Sequence, residues 1–206
     1  MTFPNKTFKN IDTFATAYFE QLAIASQSVD KRALHAAASM LGNAYDRRAA
    51  VYVCGNGGSA SISNHLICDH LKGVQTDTHT RPRIISLSSN IEILTAIAND
   101  ISYEDIFTFQ LSTMAEAGDI LITISSSGDS ENIVRAAQWA KSNACSVISM
   151  TGFNGGRSAK IADINLHVDA DNYGVIEDAH QSLMHILAQF IRLDRMENSL
   201  ISERRF

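Results

Sequence analysis

The sequence predicts an α/β fold, a parallel sheet covered by helices on both faces, and three observations predict it. Five short segments, residues 49–53, 82–88, 119–124, 145–150 and 164–168, are almost continuously apolar, as strands buried on both faces must be. Segments of helical periodicity separate them, so strands alternate with crossovers. Polar turns rich in glycine or serine end three of the strands, at the carboxyl edge where such sheets bind ligands.

Two helices precede the first strand. Residues 8–29 hold no Gly or Pro, and Ile11, Ala15, Tyr18, Leu22 and Ala25 recur in steps of four and three, which is a helix with one apolar seam. Asp30 is the candidate N-cap of a second helix over 31–45, with Leu34, Ala37, Ala38 and Leu41 on its inner side. Two such helices exceed what an α/β layer needs, and their seams suit packing either on the body of the chain or, as the favoured reading, on another subunit.

The first strand runs into Cys54-Gly55-Asn56-Gly57-Gly58-Ser59-Ala60, a tight turn at the start of a helix over 61–72. Its glycines permit close backbone approach, so N–H groups and the positive helix end converge on an anion, most simply a phosphate. The turn lacks the lysine of a P-loop and the Gly-x-Gly-x-x-Gly spacing of dinucleotide sites, which disfavours a nucleotide. Pro82 introduces the second strand. Asn90 then caps a helix through Ile93, Leu94 and Ile97 that ends near Asn99-Asp100, and another helix spans 103–117.

The third strand leads into Ser125-Ser126-Ser127-Gly128-Asp129-Ser130, followed by a helix over 131–142. Four hydroxyls and a glycine between strand and helix can bind phosphate through O–H and N–H donors. The same residues also suit an ordinary capping turn in which Asp129 or Ser130 satisfies the helix end. After the fourth strand comes a loop over 152–156. A closing helix over 175–196 turns Ile176, Ala179, Leu183, Ile186, Leu187 and Phe190 inward, and residues 198–206 read as a tail.

Composition bounds the function. The 206 residues, 45% hydrophobic and 19% charged, suit one domain over 1–206, with a helical segment about 8–45 and a core about 49–196. A net charge of -5 argues against a nucleic-acid surface. No apolar run approaches the roughly 20 residues a membrane span needs, and residues 1–6 do not read as a signal peptide, so a cytoplasmic protein is expected. Cys54, Cys68 and Cys145 are too widely spaced for a metal motif and are expected as reduced thiols in the core or near the site.

Titratable residues supply the remaining candidates. His65 and Asp69, four apart, share a helix face and suit either metal binding and proton transfer or a solvated pair. His70 lies about 100° further round, toward a surface or interface. On the closing helix His180 and His185 diverge by about 140°, so they do not serve one pocket. Asp178, Gln181, Ser182 and His185 form a polar stripe.

Taken in order, Gly55 to Ala60 with His65, Leu94 to Asp100, Ser125 to Ser130 and Thr151-Gly152 resemble the phosphoheptose isomerases, sedoheptulose 7-phosphate isomerases of the SIS sugar-phosphate-binding superfamily. The resemblance implies a doubly wound, Rossmann-like five-stranded parallel sheet and a homotetramer with a central helix bundle and shared active sites. It implies conversion of the ketose phosphate to D-glycero-D-manno-heptose 7-phosphate through an enediol, for bacterial heptose and surface-glycan (lipopolysaccharide) biosynthesis. Asn56, Gly57, Gly58, Ser59, Asn99 and Asp100 would contact substrate, and Ser125, Ser126, Ser127 and Ser130 would hold the phosphate. Asp69 would be the base and His185 the acid, with a zinc ion at His65, Asp69, Glu177 and His185. Two positions depart from the family pattern: Asp69 replaces a glutamate, and Glu177, also a substrate-binding candidate, replaces a glutamine. A zinc site shared by Glu177 and His185 would need a subunit boundary or a broken helix, since eight helical residues rise about 12 Å. The alternatives the resemblance leaves open are an isomerase of another sugar phosphate and a non-catalytic relative similar to the DnaA initiator-associating proteins.

Overall fold

The computed structural model describes residues 2–206; residue 1, part of the expected domain, lies outside the described residues. Helices α1 (Ile11–Ser28) and α2 (Lys31–Asp46) lead into β1 (Ala50–Gly55), α3 (Gly58–Cys68) and a π-helical turn, Asp69–Val74. Next come β2 (Arg83–Ser86), α4 (Ile91–Asp100), the 3₁₀ turn Tyr103–Asp105, α5 (Thr108–Met114), β3 (Ile120–Ser125) and α6 (Glu131–Ser142). The chain ends with β4 (Ser146–Thr151), α7 (Gly156–Ile161), β5 (Ile164–His167), α8 (Tyr173–Arg195) and the short α9 (Asn198–Ile201). The five strands are all parallel in the order β2-β1-β3-β4-β5. The order therefore switches direction between β1 and β3, and the turns after these two strands flank the crevice where such sheets bind ligands.

Alternation along β1 divides the core. Val51 and Val53 pack with Leu41, Ile62, Leu66, Ile176 and Leu183, joining α2, α3 and α8 on one face. Ala50, Tyr52 and Cys54 pack with Ile97, Phe107, Leu111 and Ile133 on the face of α4, α5 and α6. Helix starts are set locally: the side chains of Asn10, Asp30, Asn90 and Asn172 accept from the backbone N–H groups of Thr13, Arg32, Ile93 and Val175.

Several expectations change. Residues 103–117 are not one helix but a 3₁₀ turn followed by α5, and the loop over 152–156 runs into an unexpected helix, α7. The helix over 61–72 gives way at Asp69 to the π turn, and His70, four residues past the buried Leu66, continues the buried face of α3. His70 is fully buried against the Tyr45 hydroxyl, at 2.6 Å from its Nδ1, rather than at a surface. Cys54 and Cys145 are buried thiols, whereas Cys68 is exposed. Ile186 and Phe190 do not turn inward: they are 47% and 50% exposed, and line an apolar groove with Leu34 and Ala38. Ile11 on α1 is exposed as well. No helix among the described residues is long and apolar enough to cross a membrane.

Candidate active site

The glycine turn leaves β1 at Gly55 and enters α3 at Gly58. At Gly58 a methyl group would overlap the carboxylate of Glu177 from α8, so a side chain there would push that carboxylate aside. One of the predicted substrate contacts thus carries the chain's own carboxylate against the mouth of the turn. Desolvation, then the neighbouring Asp178, raises the Glu177 carboxyl above its ordinary range. Asn56, at the turn's tip, is paired with Asn132 of α6: Asn56 Nδ2 donates to Asn132 Oδ1 at 2.9 Å, and Asn132 Nδ2 donates to Asn56 Oδ1 at 3.1 Å.

The serine turn lies beside it on β3. Neither residue suggested as a cap serves as one: Ser130 makes no capping bond, and the Asp129 carboxylate receives Arg157 Nε at 2.6 Å. The first N–H groups of α6 are therefore left without a side-chain acceptor. Ser125 Oγ accepts from Gly128 N at 3.2 Å and Ser127 Oγ from Asp129 N at 3.3 Å, which folds the turn. Ser126 is 5% exposed, and its hydroxyl oxygen has no hydrogen-bond partner. A buried hydroxyl beside an uncapped helix end is the arrangement an anion would satisfy. The turn is buttressed from behind. Ser158 of α7 donates its N–H and hydroxyl to Gly128 O, and a methyl at Gly128 would strike the backbone of Gly155.

The third cluster joins α3, the π turn and α8. His185 Nδ1 meets Asp69 Oδ2 at 2.5 Å, and His65 Nε2 lies 3.6 Å from Asp69 Oδ1. The two imidazole rings stand edge to face with centroids 5.0 Å apart. Between them sits the Gln181 amide, 2.8 Å from His65 Nδ1 and 3.1 Å from His185 Nε2. One ligand atom from each of His65, Asp69 and His185 lies within 4.8 Å of the others, so the group has the donors of a divalent metal site. Gln181 faces both rings with its Nε2 and would supply a fourth donor only with its amide turned over to present the oxygen. Glu177, expected as that fourth ligand, is not brought here: α8 is unbroken from Tyr173 to Arg195, which holds Glu177 about 12 Å along the axis from His185. His180 is buried behind the site with Nε2 3.2 Å from Thr151 O, as the divergence of the two histidines predicts.

Asn99 and Asp100 stand exposed at the end of α4, Asn99 donating to Asp100 at 2.7 Å. Gln181, Asn132, Arg157 and Tyr103, whose hydroxyl donates to Asn56 Oδ1 at 3.1 Å, were not singled out for these roles by the sequence. Gln181 carried a signal in its spacing of four from His185; Asn132 and Tyr103 carried none, since a first-turn Asn and a loop Tyr are ordinary.

A family model described as the SIS domain matches residues 16–152. The chain is 33% identical over 174 residues to the probable phosphoheptose isomerase of Thermoplasma volcanium, covering 84% of this chain and 88% of that one. It is 34% identical over 170 residues to the phosphoheptose isomerase of Geotalea daltonii, covering 82% and 85%. Among solved structures, a phosphoheptose isomerase from Francisella tularensis superposes with TM-score 0.79 at 28% identity, over 89% of this chain and 96% of that one. The phosphoheptose isomerase from Neisseria gonorrhoeae gives TM-score 0.81 at 26% identity, over 88% and 98%.

Proposed function

Because this chain belongs to the phosphoheptose isomerase family of SIS-domain proteins, we propose that the three clusters form one active site for a phosphorylated ketose. The protein is a sugar-phosphate aldose-ketose isomerase, converting sedoheptulose 7-phosphate to D-glycero-D-manno-heptose 7-phosphate. The observation that carries the site reading is the contact between Asp69 and His185, 116 residues apart in sequence, with His65 and Gln181 closing around them.

Isomerisation moves one proton from C1 to C2 and exchanges which oxygen is carbonyl. In this reading Asp69 removes the C1 proton as general base while His185 protonates O2, giving the enediol. His185 then takes the O1 proton as Asp69 returns a proton to C2, which leaves the aldehyde at C1. A zinc ion held by His65, Asp69 and His185, with Gln181, would add Lewis-acid polarisation of the sugar oxygens. The serine turn, with Ser125, Ser126, Ser127 and Ser130, holds the phosphate, and binding energy released there orients the remote carbons on Asp69. Asn56, Gly57, Gly58, Ser59, Asn99, Asp100 and Glu177 line the sugar. We further propose a cytoplasmic homotetramer built through residues 8–45 of a single SIS domain, whose product enters bacterial heptose and surface-glycan synthesis. The exposed apolar side chains of α1 and α8 support the oligomer.

The test is turnover of sedoheptulose 7-phosphate by metal-stripped protein, repeated with zinc added. Turnover is expected, with zinc raising it. Asp69→Ala should lower kcat by at least about a thousandfold while sugar-phosphate binding persists. Retained turnover in that variant would remove Asp69 from the mechanism, and absent turnover in the wild type would overturn the isomerase reading.

A further inference from the structure

Asn56 stands half-buried at the tip of the glycine turn, and its side-chain amide is almost fully committed within the protein. An amide has two N–H donors and one oxygen with two lone pairs. Asn56 Oδ1 accepts from Asn132 Nδ2 at 3.1 Å and from the Tyr103 hydroxyl at 3.1 Å, so both lone pairs are used. One N–H of Asn56 goes to Asn132 Oδ1 at 2.9 Å. A single N–H is left. The pair with Asn132 is cyclic, which fixes the plane of the Asn56 amide as well as its direction. Asn132 is 1% exposed in the first turn of α6, two residues past Ser130, so the same contact ties the glycine turn to the serine turn.

We propose that Asn132 is a positioning residue which, with Tyr103, locks Asn56 into presenting one donor and no acceptor to the sugar. The group of the ligand that Asn56 meets is therefore an acceptor oxygen, a carbonyl or hydroxyl oxygen of the sugar chain rather than a donating O–H. This rests on the sugar-phosphate reading above and assigns the polarity of one of its contacts. Tyr103 adds a second consequence. Its ring is exposed and its hydroxyl is the second donor to Asn56, so it reinforces the orientation without being needed for the fold.

Asn132→Leu keeps the size and adds no charge but removes both partners of the Asn56 amide, so the amide is free to turn over and offer its oxygen to the sugar. Binding is read by calorimetry with two probes, sedoheptulose 7-phosphate and inorganic phosphate. Asn132→Leu is expected to weaken sugar-phosphate binding about tenfold or more, with inorganic-phosphate affinity within about twofold of wild type. Tyr103→Phe, at an exposed ring, is expected to weaken sugar-phosphate binding about two- to fivefold with unchanged melting temperature. Unchanged sugar-phosphate affinity in both variants would overturn the proposal. So would a parallel loss of inorganic-phosphate affinity or, in Tyr103→Phe, a lowered melting temperature, either of which marks a purely structural pair. Wild-type turnover, measured separately, judges the isomerase reading, and the binding comparison stands whichever way that result falls.

Discussion

Two buried histidines and the half-buried Glu177 carry opposite signs of pH dependence. Burial holds His180 neutral and lowers its pKa from the ordinary 6.5 to about 4, and His70 behaves alike. The unfolded chain takes up protons at these positions below about pH 6.5, whereas the native protein resists until about pH 4. Their stabilising contribution is therefore complete above pH 6.5 and is lost as pH falls toward 4, at up to about 1.4 kcal/mol per pH unit for each histidine. Urea unfolding of His180→Gln should show a shallower loss between pH 6.5 and 4 than the wild type; an identical slope would show that His180 is protonated in the native state. Glu177 has the reverse sign. Its carboxyl is raised by desolvation and by Asp178, so the ionised form is penalised once pH rises through its native value. Glu177→Gln removes that penalty. The variant should melt above the wild type at pH 7, with the gap closing in acid, and a gap constant with pH would mean that the native carboxylate is not disfavoured.

At the scale of elements, the short helix α7 sets the serine turn. Gly128 and Gly156 cross backbone to backbone, both at positive φ, and Arg157 and Ser158 tie α7 to Asp129 and Gly128. Gly156→Ala is strained in φ and drives a methyl into Gly128, so it should cost about 1–3 kcal/mol and weaken inorganic-phosphate binding. Calorimetry with phosphate checks this; unaltered affinity would mean that the turn holds its shape without α7. This buttress also shows where sequence reading stops. Residues 131–142 read as a helix to the residue, and Asn90 and Asp30 as caps, because period and capping are local signals. The buttress over 152–161 is a short helix entered through a Gly-rich loop and shaped by a contact with a turn 28 residues earlier, which no local pattern encodes. The π turn at Asp69 is equally silent in sequence. The site divides the same way. His65 and Asp69 are paired by helical spacing, whereas their meeting with His185 depends on how α8 packs on α3.

For the whole molecule, α8 has more apolar residues than one core can cover. Leu183, Leu187 and Ile191 are buried against the sheet side, while Ile186, Phe190 and Leu193 remain on an outer face. Helical period marks all six as apolar and does not say which partner covers them, which is why Ile186 and Phe190 were expected inward. On α1, Phe19 and Ile24 are exposed too. Large apolar side chains grouped on two long helices are characteristic of an interface between copies of a chain. The outer face of α8 begins next to His185, so an assembly through it would border the group proposed for proton transfer. Phe190→Asp places a charge at the centre of that face without touching the Asp69 cluster or the core. Sedimentation should show the wild type as an oligomer, a tetramer of the 22.5 kDa chain in our proposal, and the variant at lower mass. If the site is completed by a second copy, turnover by the variant should fall in step with its mass and recover as protein concentration rises. Full activity in a monomeric variant would place the whole site within one chain, and a monomeric wild type would remove the oligomer altogether.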